Sequence, residues 1–177
     1  MSPGGHLLTT VGACVATAAL THSGPLVAGI AVGGFLIDID HAVDYVLFDG
    51  QRDLRPATFL RYYVEGRMRR AVLVLHSYEL FALLGAVALW IQALPLWGYL
   101  LGGLMHLALD LVFNGETTPR SIAAFYSFGY RLAHRFDATA LLGTAPQLAT
   151  ESFWRTFFRR PTPMSPSSST DSLTPLA

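Results

Sequence analysis

The sequence predicts an all-α integral membrane bundle of four transmembrane helices with added interfacial helices, and three observations carry that expectation. Only 14% of the 177 residues are Asp, Glu, Lys or Arg while 52% are hydrophobic, at a mean hydropathy of +0.42. An ordinary soluble protein has roughly 25% charged residues. The apolar residues gather into long runs divided by turn-forming residues. All 12 basic residues are arginines, and none precedes Arg52. A chain of this length suits one domain.

The first span runs from about Gly4 to Thr21, and His22-Ser23-Gly24-Pro25 supplies a tight turn after it. Leu7 to Leu20, with Ala16-Thr17-Ala18, has the apolar core and small residues of a signal peptide. The preceding residues lack the Arg or Lys of a secretory leader, so the segment reads as a retained span. The second helix starts at Pro25, stays apolar through Ile37 and continues through Asp38 to Phe48. Residues 49 to 70 hold Arg52, Arg55, Arg61, Arg67, Arg69 and Arg70 among Phe59, Tyr62 and Tyr63, the composition of an interfacial segment.

A third span is expected over Ala71 to Leu94, with Pro95 marking the turn into a fourth, Leu96 to Phe113. After Asn114-Gly115, the residues Tyr126, Phe128, Tyr130, Arg131, His134 and Arg135 read as an interfacial helix. Residues 1–149 thus form the helical domain. Residues 150–177 are an aromatic and basic segment passing into a Ser-, Thr- and Pro-rich tail, expected to be disordered from Pro161 onward.

Four spans place all the arginines on one side together with both chain ends, and the positive-inside rule makes that side cytoplasmic and the membrane the inner one. The net charge of zero gives no basic field for nucleic acid. Cys14 is the single cysteine and sits in an apolar run, which excludes an intrachain disulfide and a thiolate metal site.

Ionisable groups inside spans cost about 2.5–3.5 kcal/mol or more unless they are paired, metal-bound or wet. Those present are His6, Asp38, Asp40, His41, His76, Glu79, His106 and Asp110. Counting helical rise from each Arg-free turn puts His6 at roughly 25 Å, Asp38 to His41 at roughly 20–24 Å, and His76 at roughly 27 Å. His106 and Asp110 come out at roughly 16 and 22 Å. Four helices therefore deliver His or Asp to one layer. Asp38 with His41, Asp40 with Asp44, His76 with Glu79, and His106 with Asp110 also share helix faces at three- or four-residue spacing. Paired ligands on neighbouring helices are how bundles build metal sites.

The expected ligands are His6, Asp38, Asp40, His41, His76, His106 and Asp110, with Glu79 as the candidate catalytic base. Imidazoles and carboxylates without thiolates suit zinc, manganese or iron, in one or two ions. His22, His134, Asp49 and Asp53 are read as structural or surface residues, and Arg69 and Arg70 as topology anchors.

The ordered set Gly5-His6-Leu7-Leu8, Asp38-Ile39-Asp40-His41, His76-Ser77 and His106 with Asp110 resembles the YdjM-like membrane-bound metal-dependent hydrolases over about residues 4 to 115. Two pieces of that family's pattern differ. Its His-Arg and Thr before His-Ser are absent in Arg69-Arg70-Ala71-Val72-Leu73-Val74-Leu75-His76-Ser77, and its Thr-Pro-x-Gly is replaced by Phe113-Asn114-Gly115. The resemblance implies a helical inner-membrane protein with metal-dependent hydrolase activity. The expected substrate is an amphiphilic or membrane-associated ester or phosphoester, attacked by metal-activated water. The alternative reading is a non-catalytic membrane protein that binds or transports a metal.

Overall fold

A computed structural model describes residues 1–114, 121–142 and 152–158 and is helical throughout its regular elements. The tail expected from Pro161 lies outside the described residues. Helix α1 (Pro3–Thr21) starts where the Ser2 side chain accepts the Gly5 N–H, with proline in its first turn. It ends on His22, whose left-handed backbone (φ 52°) reverses the chain. Helix α2 (Gly24–Gly34) begins in the same way, capped by the Ser23 hydroxyl. These are standard start and stop devices.

The second expected helix is not continuous to Phe48. It breaks after Gly34, re-forms as a short 3-10 turn (Leu36–Asp38), then α3 (Ile39–Val43) and a π-helical turn (Asp44–Phe48), and bends by 44° at the break. Paired glycines hold a helix weakly. At this break the Gly34 carbonyl accepts a hydrogen bond from His106 Nδ1 at 2.9 Å. After a loop, α4 (Pro56–Val64) covers this region with Tyr62 and Leu60 turned inward.

The third expected span is also not one helix from Ala71. Residues 69–73 run in non-helical backbone and 74–76 form one 3-10 turn before α5 (Tyr78–Ile91), and charged side chains from elsewhere take up their backbone donors. Asp49 accepts the N–H groups of Arg69 and Arg70 at 3.2 Å each, and Asp44 Oδ2 those of Val72 and Leu73 at 2.6 and 3.1 Å. Asp40 Oδ2 accepts that of Leu75 at 3.0 Å. Every buried backbone donor needs an acceptor, and here three carboxylates spaced along 40–49 replace the helical one. At 14 residues, α5 is roughly 21 Å long, short of the roughly 30 Å hydrocarbon core.

Helix α5 ends on the left-handed Gln92 (φ 51°), and α6 (Leu94–Phe113) follows. The plan of the first hairpin recurs: position 76 is 70 after position 6, and the αL cap at 92 is 70 after that at 22. Helices α2 and α6 run parallel and touch through glycine. A Cβ placed at Gly29, Gly33, Gly98 or Gly102 would overlap the carbonyl oxygen of Pro95, Tyr99, Leu26 or Ile30 respectively. Gly29 with Gly33 and Gly98 with Gly102 are two small-xxx-small pairs, the spacing that lets membrane helices approach closely.

Among the described residues two helices, α1 and α6, are long and apolar enough to cross a membrane, and α2 with its bent continuation makes a third candidate. Large apolar side chains such as Leu8, Val15, Leu83, Trp90, Leu104 and Val112 are exposed along α1, α5 and α6. That distribution suits lipid as solvent.

The chain beyond α6 folds back as α7 (Ile122–Phe125), α8 (Phe128–Ala133) and α9 (Ala138–Leu141) over the 69–78 segment. Ala71 N donates to Phe136 O, Tyr78 N to Tyr126 O, and Ala138 N to Arg69 O. A last helix, α10 (Phe153–Phe158), packs against α1 and α4, with the Phe158 ring over Gly4.

Candidate metal centre

The start of α1, the turn after α2, the residues entering α5 and the end of α6 meet at one end of the bundle. His6, Asp40, His76, His106 and Asp110 are all buried there. Asp38 and His41 are the partly open members, with side chains 33% and 29% exposed.

The tautomers of the two innermost histidines follow from their outer nitrogens. His106 Nδ1 faces the Gly34 carbonyl, which can only accept, so Nδ1 carries the proton and the neutral ring presents a bare Nε2. His76 Nδ1 lies 3.1 and 3.0 Å from the two Asp40 oxygens, which fixes the same tautomer. The two Nε2 atoms stand 3.2 Å apart. Lone pairs facing at that distance repel, so the arrangement needs positive charge between them, as a proton or a cation.

Asp38 Oδ1 is 3.4 Å from both of those nitrogens, and Asp110 Oδ2 is 3.4 Å from His106 Nε2. Ligand atoms on a tetrahedral cation with bonds of about 2.0–2.1 Å are about 3.3 Å apart. His76, His106 and Asp38 therefore already have the mutual spacing of one coordination sphere. The Asp40 carboxylate on His76 and the Gly34 carbonyl on His106 orient the rings as partners of metal-bound histidine do.

Two flanking groups, His6 with His106 and Asp110, and Asp40 with His41 and His76, also bring ligand-type atoms together. Hydrogen bonds link their closest members: His6 Nε2 is 2.9 Å from Asp110 Oδ1, as Asp40 is bonded to His76. The His6 ring stacks on His106 at 3.7 Å between centroids. His6 Nδ1 and His41 Nδ1 are buried without a hydrogen-bond partner among the described residues. The three groups together take in all seven residues expected as ligands, and such buried His/Asp groups can hold a metal ion.

Glu79 has a different place. Its oxygens accept the Ser127 hydroxyl and the N–H groups of Phe128 and Gly129 at 2.7, 2.8 and 3.1 Å, so it anchors the start of α8 and belongs to none of the groups. The base expected at this position shares a sequence spacing with His76, but the helix does not extend back to His76, and the shared face is lost. Asp49, expected in a solvated loop, is 1% exposed and accepts the Tyr62 hydroxyl at 2.7 Å besides its backbone donors. Arg69 is tied to the Asp49 carbonyl. His22 caps α1 at the far turn, and His134 Nδ1 bonds the Tyr130 carbonyl, both away from the centre.

Two neighbours of the centre had no signal in the sequence. Tyr126 packs its ring against His76, and burial, with Asp110 nearby, raises its phenol well above the ordinary value and keeps it protonated. Arg131 is fully buried and donates to the carbonyls of His76, Phe125 and Leu73. Burial pulls its guanidinium below the ordinary value, opposed by the Asp40 charge.

Compared with family models, with curated proteins and with solved structures, the chain matches none.

Proposed function

We propose that this chain is a membrane-embedded metal-dependent hydrolase that acts on an amphiphilic ester or phosphoester, as the resemblance to the YdjM-like proteins implies. The observation that carries the reading is the pair of Nε2 atoms of His76 and His106 facing each other at 3.2 Å beside the carboxylates of Asp38 and Asp110. His76, His106 and Asp38 would hold the cation, with Asp110 beside them. Imidazole and carboxylate donors suit zinc, and manganese or iron as well. A divalent ion in such a place supplies a hydroxide near neutral pH and polarises the substrate oxygen.

The chain's own residues define the rest. Asp40 and the Gly34 carbonyl hold both imidazoles in the tautomer that offers Nε2. The open edge is at Asp38 and His41, and exposed Leu36, Ile39, Val43 and Val74 lie next to these in sequence or in the 73–76 segment. A polar head group reaching Asp38 would leave its acyl part against that apolar rim. In the bilayer, α5 with its protein-covered lead-in would complete a fourth crossing, since irregular backbone is tolerated at membrane depth when buried in protein. The arginine-bearing side, with both chain ends, would face the cytoplasm at the inner membrane.

The test is hydrolysis of phospho- and carboxyl-ester lipids by detergent-purified protein, before and after chelation and with zinc or manganese restored. Turnover that chelation abolishes and metal restores is the expected result. Metal binding with no turnover on any ester, and altered cellular metal content on deletion, would replace the hydrolase by a metal carrier.

A further inference from the structure

Arg131 lies outside the segment that carries the ligand residues, yet it is the largest fully buried side chain of the described residues. Its Nη1 donates to His76 O at 3.1 Å and Phe125 O at 2.7 Å, and its Nη2 to Leu73 O at 2.8 Å. All three acceptors are neutral carbonyls. A guanidinium buried without a carboxylate partner is unfavourable unless its donors are well used, and here Nε has no partner among the described residues. An ion pair therefore does not account for its burial. What the three bonds accomplish is to hold the backbone from 73 to 76.

That backbone is held from its other side as well. Asp44 takes the N–H groups of Val72 and Leu73, and Asp40 takes the Leu75 N–H and the His76 imidazole. Leu73 sits at φ +44°, a left-handed conformation that a leucine avoids. Its N–H is bound by Asp44 and its C=O by Arg131, so the unfavourable turn is fixed at both polar groups. The turn ends at His76, whose Nε2 is thereby set opposite His106.

We infer that Arg131 is a positioning residue of the metal centre: its planar fork locks the 73–76 turn so that His76 presents Nε2 to the cation before the cation arrives. The inference rests on the cation site proposed above. Only Arg has a rigid fork that serves divergent carbonyls at once; the three donors of lysine radiate from a single nitrogen on a flexible stem. Segment 121–142 is then part of the centre through Arg131 as well as Tyr126.

The test uses full-length protein in detergent, as wild type, Arg131→Met, Arg131→Lys and the exposed-site control Arg135→Met. Zinc affinity is measured against a chromophoric chelator, and the visible spectrum is recorded with cobalt(II) alone. Arg131→Met is expected to bind zinc 10- to 100-fold more weakly, the range for removing a supporting partner of a ligand, with an altered cobalt spectrum. Arg131→Lys should fall between it and wild type, and Arg135→Met should match wild type. Wild-type affinity and spectrum in Arg131→Met would overturn the inference.

Should Arg131→Met not fold, hydrogen exchange on metal-free wild type beside Arg131→Lys decides. The amides of residues 72, 73, 75 and 76 are expected to be protected in wild type before zinc is added and less protected in Arg131→Lys, and equal protection in the two, or protection acquired only with zinc, would overturn the idea. Wild type that binds no metal overturns both this inference and the hydrolase reading. Metal binding that depends on Arg131 without any ester hydrolysis overturns the hydrolase reading alone.

Discussion

His76 Nε2 and His106 Nε2 face each other at 3.2 Å with the outer nitrogen of each ring committed to an acceptor, Asp40 in one case and the Gly34 carbonyl in the other. Neither ring can turn its proton inward without giving up that bond. The space between them is therefore a place for positive charge, as a proton or a cation, beside the Asp38 and Asp110 carboxylates.

The members of the centre should be separable by how much affinity each supplies. Asp38→Ala and His106→Ala remove atoms of the central group, and both are expected to lower zinc affinity by more than 100-fold, measured by chelator competition. Asp40→Asn leaves the His76 ring in place but weakens its orientation, and a smaller loss of about 10- to 100-fold is expected. An Asp40→Asn protein as impaired as His106→Ala would mean that Asp40 binds the ion itself.

Much of this centre was legible in the sequence because buried His and Asp are costly in an apolar chain and their helical spacing put them at one depth. The path of the chain between them was not. Hydropathy stays high through Gly33, Gly34 and Phe35 and masks the break that the glycine pair permits, where the Gly34 carbonyl meets His106. Residues 71–77 read as the start of a span because their irregular course depends on Asp44, Asp40 and Arg131, distant in sequence. Glu79 was expected on one face with His76 from their three-residue spacing, but α5 does not include His76. The Gly29/Gly33 and Gly98/Gly102 pairs were a readable signal for the α2–α6 contact.

That glycine contact should govern stability. Gly33→Val or Gly102→Val places a side chain into a facing backbone and is expected to destabilise by about 2–4 kcal/mol, seen as a lower thermal midpoint in detergent. Gly12 and Gly85 have open space around their Cβ positions, and alanine there should be neutral or mildly stabilising. Equal effects at all four positions would dismiss the close crossing.

Glu79→Gln discriminates between anchoring and chemistry. A group that holds the start of α8 should give a modest fall in thermal stability with unchanged zinc affinity and turnover. A large loss of kcat at full metal loading would return Glu79 to the reaction.

The two aspartates of the 49–55 loop should differ sharply. Asp49→Ala strips an acceptor from the Tyr62 hydroxyl and two backbone N–H groups in the interior, and is expected to cost about 3–5 kcal/mol by thermal or denaturant unfolding. Asp53 pairs with the exposed Arg55, and its alanine variant should unfold as wild type does. Equal destabilisation would contradict the buried position of Asp49.

The central claim is that a divalent cation joins His76, His106 and Asp38 at one end of the bundle. Metal analysis of detergent-purified wild type beside His106→Ala and Asp38→Ala, each loaded with zinc and dialysed, tests it most directly. Bound zinc in wild type that is lost from both variants is the expected result; zinc content equal in all three, or absent from wild type, would contradict it.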